Sequence, residues 1–108
     1  TPALMVNPDE WEAVMALVIA KEIRLGLLAS PQLIARYQAS AQATYSYEGE
    51  GVEAAAKGLF AGLRALDEAA IDVILVPTFP EEGLGVAYMN RLKKATNQLN
   101  FLEQLTAE

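Results

Sequence analysis

Apolar residues fall into two kinds of pattern along this chain: short unbroken runs, and longer stretches where they recur every three or four positions. The short runs predict strands at Ala3 to Val6, Arg24 to Ala29, Ala43 to Tyr47 and Val73 to Val76. Val73-Ile74-Leu75-Val76 has no polar residue and three β-branched side chains. That suits a strand covered on both faces, as in a parallel sheet between helices. The run Ala43 to Tyr47 alternates and is more polar, which suits a sheet edge.

The recurring stretches predict helices. Trp11, Val14, Met15, Val18 and Ile19 mark one face of a helix running to about Lys21. Asn7-Pro8-Asp9-Glu10 reads as its start, with Asn7 as cap and Pro8 at the first helical position. Ser30-Pro31 repeats the device and opens a helix to about Ala39. Val52, Ala55, Ala56, Leu59, Phe60, Leu63 and Leu66 mark a long helix ending near Ala70. The stretch from Ile71 to Lys94 organises the rest: strand, a loop broken by Pro77, Pro80, Gly83 and Gly85, then a helix beginning between Gly83 and Val86. The order βαβαβαβα predicts a three-layer, Rossmann-like α/β sandwich with a four-stranded, mainly parallel sheet, for which we expect strand order 3-2-1-4. Residues 1–96 make the core of a single accessory-sized domain within 1–108. Residues 97–108 form a tail in which Leu99, Leu102 and Leu105 allow another amphipathic turn or a frayed end.

Composition narrows the chemistry. With 108 residues the chain holds one modest core, not separate substrate and cofactor lobes. A net charge of −6 disfavours direct binding to nucleic acid or an anionic membrane. The absence of cysteine rules out disulfides and thiolate ligands, and fits a cytoplasmic setting. Without histidine, Ser30, Ser40 and Ser46 lack the usual base for nucleophilic catalysis. No catalytic or metal-ligating set is expected. Glu68 and Asp72 alone are a solvated helix end more readily than a metal site.

Two segments go beyond generic patterning: Leu59-Phe60-Ala61-Gly62-Leu63-Arg64-Ala65-Leu66-Asp67-Glu68, and Pro80-Glu81-Glu82-Gly83-Leu84-Gly85-Val86-Ala87-Tyr88-Met89-Asn90-Arg91-Leu92. They resemble the C-terminal domain of the two-domain threonylcarbamoyl-AMP synthases, most specifically in Glu-Gly-Leu-Gly and Met-Asn-Arg-Leu. The likeness is strong from Val52 to Ala95. It implies a parent enzyme, a nucleotidyltransferase acting in tRNA processing, that makes threonylcarbamoyl-AMP from threonine, bicarbonate and ATP, with magnesium. In that family the chemistry belongs to an N-terminal YrdC-type domain, which this chain lacks. The resemblance therefore implies a non-catalytic accessory domain, holding no cofactor itself, whose partners are the YrdC-type domain and the interdomain linker. Two other readings stay open: a small nucleotide- or metabolite-binding α/β protein, and a self-associating module forming homo-oligomers.

The candidate residues for binding or interdomain contact are Glu82, Gly83, Gly85, Asn90 and Arg91. The loop Glu81 to Gly85 lies at the carboxyl end of a strand and opens a helix, where open α/β sheets take ligands. Its two carboxylates repel a phosphate, so a tight turn with acids at the helix dipole is favoured. Arg91 either grips an anion or the partner domain, or pairs with Glu82 or Asp67 while Asn90 bonds loop backbone. Arg64 and Asp67 are spaced for a surface pair. Tyr37, Tyr45, Tyr47 and Tyr88 suit covering a sheet edge or a contact surface better than stacking a base.

Overall fold

The computed structural model describes residues 2–96, so the expectation for the tail lies outside the described residues. Strands β1 (Ala3–Val6), β2 (Leu25–Ala29), β3 (Ala43–Ser46) and β4 (Val73–Pro77) alternate with helices α1 (Trp11–Ala20), α2 (Pro31–Tyr37), α3 (Val52–Asp67) and α4 (Leu84–Ala95). All strand pairs are parallel, which makes the domain α/β as the alternation implies. No described helix is long and apolar enough to cross a membrane.

The strand order is β1-β4-β2-β3, where 3-2-1-4 was expected. Burial explains the difference. Every residue of β4 and of β2 is buried. The expected order would have put β4 at a border, leaving one edge of its apolar run unpaired. Entering between β1 and β2, it pairs on both sides, with Ala3 opposite Ile74 and Leu25 opposite Val73. β3 takes the border and alternates half-buried with exposed positions, as its more polar sequence suggests.

Alternate strand residues feed two cores. Leu4, Val6, Leu25, Leu27, Val73 and Leu75 point toward α1 and α2. Met5, Leu28, Ile74 and Val76 point toward α3 and α4. The chain moves one way along the sheet from β1 through β2 to β3 and then returns to β4. With right-handed crossovers, that reversal sends α3 to the opposite face.

Several local expectations shift. α1 starts at Trp11, not Pro8, because Asn7 caps no helix: Glu10 folds back, its carboxylate accepting from Asn7 N–H at 3.1 Å. Ser30 caps α2 as expected, its hydroxyl accepting from Leu33 N–H at 3.5 Å. α2 gives way to a 3-10 turn over Gln38–Ser40. Ile19 and Phe60 point outward, 62% and 50% exposed, each beside the buried stripe of its helix.

Candidate functional site

The carboxyl end of the sheet collects four loops, and each pair of neighbouring strands sends its helices to opposite faces. Such divergence opens the crevices where α/β sheets hold ligands. Here the chain bridges the two outer crevices itself. Between β1 and β4, Thr78 Oγ1 donates to Asn7 Oδ1 at 2.9 Å. Between β2 and β3, Gln32 N–H donates to the Glu50 carboxylate at 3.0 Å.

Beneath the β4 loop, the Tyr88 hydroxyl donates to the Pro77 carbonyl at 2.8 Å and lies 3.4 Å from the Tyr47 hydroxyl. Burial pushes the Tyr47 phenol up to about 12, although the bond to Tyr88 acts the other way. Burial, then the neighbouring Tyr47, raises Tyr88 further. Both rings stay neutral at physiological pH. Phe79 meets Tyr88 edge to face at 5.2 Å between ring centres, and its N–H points at Met89 Sδ at 3.4 Å. Sequence spacing gave no sign of the Tyr47–Tyr88 pair, which joins elements 41 positions apart.

Each residue expected at this site has a definite place. Gly83 has φ +56°, a left-handed conformation that a Cβ would strain, and it precedes α4. Gly85 is buried, and a Cβ there would collide with the Pro80 carbonyl oxygen. These two glycines shape the turn. Glu82 is exposed, and its backbone carbonyl accepts from Gly85 N–H at 2.9 Å. The loop carboxylate that reaches α4 is Glu81, which pairs with Lys93. Asn90 and Arg91 are exposed on α4, and among the described residues neither side chain has a hydrogen-bond or ion-pair partner. The expected Arg91 pairing with Glu82 or Asp67 is thus not made. Leu84 and Val86, 56% and 50% exposed, lie on the first turn of the same helix. Two aliphatic residues, an amide and a guanidinium are thus exposed along α4.

Elsewhere, Asp72 is not a metal ligand in waiting. It accepts from the Arg24 backbone N–H at 2.8 Å and from its guanidinium at 3.0 Å, and those bonds hold its carboxyl below the usual range. Among the described residues no group of three His, Cys, Asp or Glu could hold a metal. Trp11 is buried, and its ring stacks with Tyr37 at 6.0 Å. The outer side of α1 is also apolar: Ala13, Ala16, Ile19 and Ala20 all face solvent. A helix apolar on every side belongs under cover. This second bare face was readable in Trp-Glu-Ala-Val-Met-Ala-Leu-Val-Ile-Ala but is lost when only the inward stripe is followed.

Fold and surface together define a small doubly wound α/β domain whose sheet-end crevices are largely bridged from within. The family model for the C-terminal domain of threonylcarbamoyl-AMP synthase matches residues 1–97, and the chain belongs to that family. Threonylcarbamoyl-AMP synthase of Pyrococcus abyssi is 50% identical over 50 residues, 46% of this chain and 15% of the relative. The Bacillus subtilis enzyme of the same name is 36% identical over 72 residues, 67% of this chain and 20% of the relative. The crystal structure of P. abyssi Sua5 complexed with L-threonine superposes with a TM-score of 0.69 at 30% identity, over 89% of this chain and 28% of that one. A double variant of P. abyssi Sua5 gives 0.67 at 31%, over 89% and 27%. The chain therefore spans only about a fifth of the curated relatives' length or less.

Proposed function

We propose that this chain is a non-catalytic accessory domain of an L-threonylcarbamoyl-AMP synthase. The parent's chemistry, from threonine, bicarbonate and ATP with magnesium, would then take place on a linked YrdC-type domain. The observation that carries this reading is bare apolar surface on a domain whose two outer crevices are bridged from within. The outer side of α1, with Ile19, and the start of α4, with Leu84, Val86, Asn90 and Arg91, are surfaces for another part of the parent protein. Exposed aliphatic side chains, together with an arginine that has no partner among the described residues, are a common make-up for a protein contact. Engagement there would position the linker and adjust closure over the nucleotide without contributing a reacting group.

The test uses Ile19→Lys, Leu84→Lys and Arg91→Ala in the full-length parent and in this chain alone. In the isolated chain each substitution changes stability by less than about 0.5 kcal/mol, because the positions are solvated. In the parent, at least one lowers turnover or separates the domains in limited proteolysis. Unchanged turnover and unchanged proteolysis for all three would overturn the proposal. Calorimetry of this chain with ATP, AMP and threonine distinguishes the alternative of a small metabolite-binding protein, which requires micromolar binding. Sedimentation over a concentration range tests self-association.

A further inference from the structure

β3 is one border strand of the described sheet, opposite β1, and apart from its short length it lacks the usual protections against further pairing. Strands at an edge are commonly blunted by lysine, proline or a bulge. Ala43-Thr44-Tyr45-Ser46 contains no lysine or proline, and its four residues keep regular one-to-one register with Gly26 to Ala29 on β2. Among the described residues no strand pairs with its outer side.

A cleft of about 420 Å³ runs between this border and the flank of α3, lined by Tyr45, Tyr47, Glu48, Glu53, Lys57 and Gly58 among others. Its floor is aromatic: Tyr47 is buried, while Tyr45 is half-buried and so presents part of its ring. Its rim is acidic, with Glu48, Glu50 and Glu53 against one lysine, Lys57, which is 3.7 Å from Glu53. Glu50 is engaged by Gln32 N–H yet keeps its charge at the rim, and Glu48 has no partner among the described residues.

We propose that β3 and this cleft form a docking site for an extended, lysine- or arginine-bearing segment of a partner protein, added to the sheet as a fifth strand. Backbone hydrogen bonds to β3 supply the alignment, and alternate side chains of the added strand turn toward α3. A lysine or arginine there lays its alkyl stem along the Tyr45 ring and brings its charge to Glu48 and Glu53. Charge selects this occupant over the others. A nucleic acid or other polyanion is repelled by the rim. A second copy paired edge to edge would bring two acidic rims together, in a molecule already carrying a net charge of −6.

The test is a nuclear magnetic resonance titration of the 108-residue chain with a capped eight-residue peptide alternating lysine and valine. A glutamate–valine peptide of equal length is the control. The amides of Ala43 to Ser46 shift with the lysine peptide and gain protection from hydrogen exchange, while the control leaves them unchanged. Glu48→Lys combined with Glu53→Lys, both at exposed positions, weakens binding by roughly tenfold or more, as expected for reversing two exposed charges. Any of three results overturns the proposal: no binding at millimolar peptide, equal binding of the control, or loop shifts without new protection in β3. A dimer in sedimentation that the peptide dissociates would make the occupant a second copy and also overturn it.

Discussion

Gly85 shows how one missing atom can set the entry to a helix. Its backbone lies so close to the Pro80 carbonyl that an added methyl group has nowhere to go. The obstacle is backbone rather than a flexible side-chain end, so relief requires moving the loop. Gly85→Ala therefore costs about 2 kcal/mol or more despite alanine's better helix propensity, by the usual price of overpacking and forced backbone shifts. Urea unfolding of the variant would measure it, and an unchanged midpoint would contradict the geometry. The Glu-Gly-Leu-Gly sequence revealed that the loop was special but not which role each glycine had. That depended on the path of Pro80, which no local pattern encodes.

The tyrosine pair makes a second statement at this scale. Tyr47 has a folded-state pKa near 12 against 10 for an ordinary phenol, so the neutral form is favoured by folding. That contribution is complete below pH 10 and disappears as pH rises toward about 12, because the unfolded chain ionises first. The loss is roughly 2–3 kcal/mol for a two-unit displacement. Stability measured in urea from pH 9 to 11.5 should fall for the natural sequence. It should fall less steeply for Tyr47→Phe, and an identical slope would remove Tyr47 from the account.

Among elements, β4 has the plainest sequence signal, yet the expected order 3-2-1-4 pairs it with β1 alone, where the structure adds β2 on its other edge. Its apolar run correctly implied cover on both faces, but the order of strands is a question about edges. A short buried strand is best placed where both edges are paired, and β4 alone joins β1 to β2. Its central residue, Leu75, is fully buried. Leu75→Ala should cost about 2–5 kcal/mol, as for other buried leucines truncated in a tight core. Thermal unfolding would show a drop of several degrees, whereas a drop under one degree would mean that the core collapses around the site. α1 teaches the complementary lesson. Its inward stripe was legible, but its start was not. Asn7 and Pro8 form a good cap on paper, yet Asn7 is held across the sheet by Thr78, 71 positions away. A long-range bond outweighed a local preference.

For the molecule as a whole, the repeated alternation of strand and helix made the class of fold readable, and the glycine-rich loop with its following helix made the family readable. What escaped was everything set by distant pairs: the strand order, the tyrosine contact, the bridges between loops and the cleft beside β3. The candidate site divides in the same way. Gly83 and Gly85 have an evident local role, while Asn90 and Arg91 are exposed, and no local pattern assigns them one. An acidic domain with exposed apolar residues on α1 and α4 directs experiments to its surface.

One consequence of the strand order concerns how the domain is made. β1 leads the sequence, but its pairing is with β4, in register from Ala3 opposite Ile74 to Val6 opposite Pro77. During synthesis β1 emerges well before the strand it pairs with, so this side of the sheet cannot form strand by strand in chain order. The strand that comes first in the domain is matched only once β4 is available, and until then its apolar residues are exposed to chaperones and to misfolding.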